Sequence, residues 1–155
     1  MITRKQLYEF LENPQLNEMV ASVWELLGKG FEHAQALLPP DQAMERKELS
    51  FHDQIRLLAY LCAMIGDLPG DIVEIGVWKG KSLSLMNEVC NHERRVVGID
   101  PFALPKQFEE FSHYKDLLFP NAVVLRGFSE LCAERFHALS PSVALLHIDG
   151  GHEGR

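Results

Sequence analysis

Apolar positions along this 155-residue chain follow two rhythms. Up to about residue 66 they recur every three or four residues, the spacing of amphipathic helices. Leu7, Phe10 and Leu11 predict a short first helix that stops near Asn13-Pro14. Leu16, Met19, Val20, Val23, Trp24 and Leu27 predict a longer one, which Gly28 and Gly30 should end or bend before Phe31 to Leu38 continue. Pro39-Pro40 reads as a stop, because the second proline bars the first from helical geometry. Ser50, with Asp53 three residues on, reads as the cap of a helix carrying Ile55, Leu58, Ala59, Leu61, Cys62 and Ile65 toward a core and ending near Gly66.

Beyond that point the rhythm changes to short β-branched runs separated by helical patterns. Ile72, Val73 and Ile75 make a first strand, Arg95 to Asp100 a second, Ala122 to Gly127 a third and Val143 to Asp149 a fourth. Between them lie helical patterns through Leu83 to Val89, through Phe108 to Leu118, and from a Ser129 cap through Leu131, Cys132 and Phe136. Such alternation predicts an α/β fold, a Rossmann-like parallel sheet with right-handed crossovers. The change of rhythm predicts an N-terminal helical segment over residues 1–66, a packing layer or, by the resemblance described below, a cap over the substrate pocket, and an α/β unit over residues 67–155.

Composition narrows the partners. A formal net charge of −7 argues against nucleic acid, whose phosphates call for a basic face. The first residues carry no apolar signal region, and no apolar run approaches membrane-spanning length. Cys62, Cys90 and Cys132 are odd in number and scattered through apolar patterns, which fits small buried side chains in a reducing compartment. The expectation is a cytoplasmic protein acting on a small molecule, with neither nucleic acid nor membrane as partner.

The chemistry centres on Gly70 to Ser82. Glu74 lies near the end of the first strand, Gly76 follows, and Gly80 and Ser82 open the next helix. Glycines let a ligand approach the backbone, and a helix start offers N–H groups to an anionic group. Dinucleotide loops want G-x-G-x-x-G, but Val77-Trp78-Lys79 separates the two glycines here. A carboxylate before the first glycine suits a ligand carrying a cation, such as the ammonium of an amino-acid moiety, which points to S-adenosylmethionine. Every other strand also ends in a residue suited to the rim where open parallel sheets bind ligands: Asp100, Gly127 with Phe128 and Ser129, and Asp149. Asp100 follows Gly76 at a spacing where an acid can accept hydrogen bonds from both ribose hydroxyls; a plain alternative is a cap before Pro101.

The wording Asp71-Ile-Val-Glu-Ile-Gly-Val-Trp-Lys-Gly, with Ile148-Asp-Gly-Gly-His152, resembles the class I S-adenosylmethionine-dependent methyltransferases, and most of all the macrocin-type sugar O-methyltransferases and their cephalosporin-hydroxylase-like relatives. The resemblance covers roughly residues 66–152 and implies a sheet in the order 3-2-1-4. It implies that Glu74, Gly76, Gly80, Ser82, Asp100 and Asp149 line the cofactor, that Phe128 and Ser129 border its adenine, that Asp149 is associated with Mg²⁺, and that His152 is the general base with Asp149 beside it at the chemical centre. His147 alternates with Asp149 and reads as a second ligand or as a satisfied buried histidine.

Seven strands are usual in that fold and four are legible here, so the resemblance also implies a truncated chain, an exposed fourth strand and either a homo-oligomer that covers it or poor stability. Two other functions compete. One is a non-catalytic binding or assembly module, and the other a nicotinamide-dependent oxidoreductase, which the Trp78 position disfavours.

Overall fold

The computed structural model describes residues 3–38 and 53–150. The Pro39-Pro40 stop, the Ser50 cap and the Gly151-His152 pair lie outside the described residues. Helix α1 (Arg4–Leu11) starts in a capping box, Thr3 and Gln6 each satisfying the other's backbone N–H. Asn13 caps α2 (Pro14–Ala36) by accepting from Leu16 N at 3.1 Å. This helix runs unbroken through Gly28 and Gly30, contrary to the expected interruption. Packing gives Gly30 its reason: a Cβ there would meet the Leu118 side chain at 3.0 Å.

Helix α3 (Asp53–Ile65) leads to the sheet strand β1 (Asp71–Ile75). The turn between them is strapped by Arg94, whose guanidinium donates to the carbonyls of Gly66, Leu68 and Gly70. After β1 come α4 (Lys81–Val89), β2 (Val96–Asp100), α5 (Gln107–Leu118), β3 (Val123–Arg126), α6 (Ser129–Leu139) and β4 (Val143–Ile148). All pairings are parallel and the order is β3-β2-β1-β4, as the alternation and the resemblance imply. Strand ends differ from the sequence reading by one residue, so Asp149 lies just past β4.

Alternate residues of β1 face two cores. Ile72 joins Phe31 and Ala34 of α2, Leu58 and Cys62 of α3, Leu83 and Met86 of α4, and Phe111 and Tyr114 of α5. Val73 joins Val97, Ile99, Leu125 and Cys132 of α6 on the opposite face. Phe31 stacks on Tyr114 at 4.9 Å, and the Tyr114 hydroxyl donates to Gln35, so the buried ring also keeps its polar end satisfied. Burying each such side chain contributes about 2–3 kcal/mol. Helices α2 and α3 therefore share one core with the sheet. The α6 face stops short of β4, where Leu146 and Ile148 stand exposed.

Candidate functional site

The loop from Gly76 to Gly80 leads from the carboxyl end of β1 into α4 and is hydrogen-bonded to the end of β2, Gly76 N donating to Ile99 O at 2.9 Å. Both glycines take a left-handed φ (89° and 86°). A Cβ on Gly76 would run into the backbone of Asp149 and Gly150, and one on Gly80 would sit 2.5 Å from the Phe119 ring. Both positions are thus glycine for reasons internal to the protein: close approach of β4 in the first case, and of the aromatic cluster in the second. Trp78 also has a left-handed φ of 53°, costly for a residue with a side chain. Its indole is 43% exposed. Lys79 pairs instead with Glu110 of α5 at 2.7 Å, an ion pair nearly sealed from solvent.

Glu74 is wholly buried. Parallel register sets it opposite His147 of β4, and Oε1 meets His147 Nδ1 at 2.9 Å. Its Oε2 has no hydrogen-bond partner of good geometry. Burial pushes the Glu74 carboxyl above its ordinary range, and His147 and the nearby Ser82 hydroxyl pull it back. The imidazole of His147 is in turn raised, first by its bond to Glu74. Asp149 is exposed, and its charge acts on both members of the pair. Glu74, Ser82, His147 and Asp149 thus form one electrostatic group.

Asp100 is buried, and its carboxylate is engaged by the protein. Oδ2 accepts from the amides of Val77 (2.9 Å) and Trp78 (3.1 Å), while Oδ1 accepts from Phe102 N (2.6 Å) and Gln107 Nε2 (3.5 Å). The end of β3 is tied in by Gly127 N, which donates to Asp100 O at 2.9 Å. Phe128 and Ser129 follow it, both exposed. Ser129 is not the cap of α6: that position belongs to Phe128, no side-chain cap bond forms, and Ser129 is the first helical residue, its hydroxyl turned toward Glu130 at 3.4 Å.

The sequence reading missed two features, the Glu74–His147 bond and the hold of Asp100 on the loop amides. Strand register carries the first signal, since residues alternating with Asp149 on β4 must face the same side as Glu74 on β1.

Among the described residues, no three His, Cys, Asp or Glu side chains come together as a group that could hold a metal ion. Glu74 is buried against His147, which leaves Asp149 as the exposed carboxylate of this group. Mg²⁺ takes one or two carboxylates and completes its octahedron with waters and substrate oxygens, so Asp149 is the ligand that this group would offer it. The orphaned Oε2 of Glu74 fits a cationic group on an organic ligand. Among the described residues, no helix is long and apolar enough to cross a membrane.

A family model described as "Methyltransferase domain" matches residues 73–155. The chain is similar in structure to cofactor-bound Rv0187 from MTB, with 19% identity and a TM-score of 0.50 over 97% of this chain and 62% of that one. It is also similar to apo CalS11, described as a TDP-rhamnose 3'-O-methyltransferase of calicheamicin biosynthesis (21% identity, TM-score 0.49, 89% of this chain and 68% of that one). A third is the SAH-bound Podospora anserina methyltransferase PaMTH1 (17%, 0.46, 79% and 53%). The comparison with curated proteins found no match.

Proposed function

The chain belongs to the family of methyltransferase domains, and from that premise we propose an S-adenosylmethionine-dependent O-methyltransferase acting on a small hydroxylated molecule, such as a sugar of a natural product. The observation that carries this reading is Glu74: a sealed carboxylate with one orphaned oxygen, at the end of β1 where a glycine loop begins. An ammonium group placed there supplies both the missing hydrogen bond and the countercharge that a buried carboxylate needs. When bound, the donor supplies a sulfonium methyl open to in-line displacement by an oxygen nucleophile.

The chain's own residues would divide the remaining work. Glu74 takes the ammonium, while Gly76, Gly80 and Ser82 shape the amino-acid end of the crevice. Asp100, Phe128 and Ser129 border the nucleoside. The imidazole of His147 is committed to Glu74, which leaves His152 as the residue that the resemblance offers for drawing the proton from the substrate hydroxyl. Asp149, on the same rim, orients that hydroxyl. No step is assigned to Mg²⁺.

Calorimetric titration with S-adenosylhomocysteine, and separately with NADH, tests the donor. One saturable site for the first, none for the second, and at least tenfold weaker binding in Glu74→Gln are expected. A site for NADH alone would move the chain to the oxidoreductases. Labelled methyl transfer to a panel of nucleotide sugars then tests the reaction, with His152→Ala expected to abolish transfer while binding persists.

A second reading rests on β4, which pairs only with β1 among the described residues and leaves Leu146 and Ile148 exposed. Such an edge suits pairing with a second copy of the chain in an assembly module. Donor binding without transfer, together with a dimer by light scattering, would favour it.

A further inference from the structure

We propose that Cys62 and Cys90 form a peroxide-sensitive thiol pair at the end of the sheet away from the glycine loop. Cys90 is the attacking sulfur, and Cys62 is the one that closes a disulfide with it. The site is separate from the donor crevice, and the inference does not depend on the donor reading.

The two sulfurs come from different helices. Cys62 sits in the last turn of α3, and Cys90 is the C-cap of α4. Their thiols are hydrogen-bonded to each other, at the edge of the core that Cys62 joins. Both line a cavity of about 580 Å³ between the turn into β1 and the turn into β2, with Gly66, Asp67, Arg94 and Arg95 among its walls. A peroxide has room there. The third cysteine makes the contrast: Cys132 is 2% exposed and packs with Val73, Val97 and Ile99 on the opposite face of the sheet.

The surroundings divide the roles. The bond to Cys90, and after it burial, push the Cys62 thiol up, so that sulfur keeps its proton. The same bond draws the Cys90 thiol down against its own burial, and the Arg94 guanidinium adds to that pull. A sulfur so held is the nucleophile of the two. Cys90 is also the more open, half-buried where Cys62 is 3% exposed.

The chemistry balances with hydrogen peroxide as the oxidant. The Cys90 thiolate attacks one peroxide oxygen, the O–O bond breaks, and the departing hydroxide takes a proton and leaves as water. Cys62 then gives up its proton, its sulfur attacks the Cys90 sulfenic acid, and the S–O bond breaks as the S–S bond forms. A second water leaves. Two thiols and one peroxide thus give one disulfide and two waters. Because α4 starts at the glycine loop and ends at Cys90, the bridge fastens the far end of that helix to α3.

Intact mass and non-reducing peptide maps of the full chain, treated with a small excess of hydrogen peroxide, test the pair. The expected product is a single chain lighter by two hydrogens, crosslinked between Cys62 and Cys90, that reverts with dithiothreitol. Retention of all three free thiols, or a disulfide that uses Cys132 or joins two chains, would overturn the proposal. So would irreversible oxidation of Cys90 with no crosslink. In Cys62→Ala, Cys90 should persist as a sulfenic acid that dimedone labels, whereas Cys90→Ala should leave Cys62 unlabelled; the reverse pattern would defeat the assignment of roles. Alkylation of the unmodified chain by iodoacetamide needs no variant to fold. It should run at least about tenfold faster at Cys90 than at Cys62 or Cys132, and equal rates would sink the idea.

Discussion

Two aspartates end the strands on either side of β1. Asp100, at the end of β2, is buried, and its carboxylate is filled by protein donors. Asp149, just past β4, is exposed, and its backbone holds β1 through Asp149 N to Ile75 O at 2.8 Å. The same residue type at equivalent places on one rim is therefore used in opposite ways: one carboxylate is spent on hydrogen bonds inside the protein, and the other stands at the surface. The neighbouring strands explain the difference. β2 lies between β1 and β3 with helices over it, whereas β4 has β1 as its one strand neighbour among the described residues.

The contrast breaks most completely at Gly76. Gly76→Ala forces a Cβ into the Asp149 backbone at a left-handed φ, so the β1–β4 junction must move. A loss of about 3 kcal/mol or more in urea denaturation is expected. Next comes Asp100→Ala, which strips the acceptor from the amides of Val77, Trp78 and Phe102. A loss of about 2–4 kcal/mol follows from orphaned buried donors, with Asp149→Ala expected to stay within about 0.5 kcal/mol by the same assay.

A smaller effect separates the Glu74–His147 pair by pH. Burial raises Glu74 above its ordinary 4.5, and Glu74 raises His147 above its ordinary 6.5, so each group binds its proton more tightly in the folded chain. The stability each contributes is complete below the unfolded value and fades as pH rises through the folded one. Thermal melts should therefore show the unmodified chain losing roughly 2–4 °C more than His147→Gln between pH 6.5 and pH 8.5. Smallest is Ser129→Ala, which removes no cap and should change melting by less than about 1 °C.

Local rules carried much of this molecule. The β-branched runs and the helical spacing gave the strands, their order once the resemblance was added, and the rim on which Glu74, Asp100 and Asp149 sit. What they could not carry was set by contacts between distant segments. Gly30 looks like a helix breaker until Leu118 arrives against it. Ser129 looks like a cap until the chain after Gly127 turns one residue earlier. Gly76 looks like room for a ligand, and the first thing to fill that room is the backbone of Asp149 and Gly150. His147 looked like a choice between metal ligand and inert core, because its partner comes from register with a strand far earlier in the chain.

The strap at the opposite end of β1 has a consequence for how the strand is launched. Arg94 reaches three successive alternate carbonyls, those of Gly66, Leu68 and Gly70, with one flat, multiply armed cation. A lysine keeps the charge but has a single ammonium to share among acceptors spread along the turn. In Arg94→Lys the approach to β1 would loosen upstream of the sheet, and proteolytic nicking between Gly66 and Gly70 would reveal it while the crevice at the far end stayed intact.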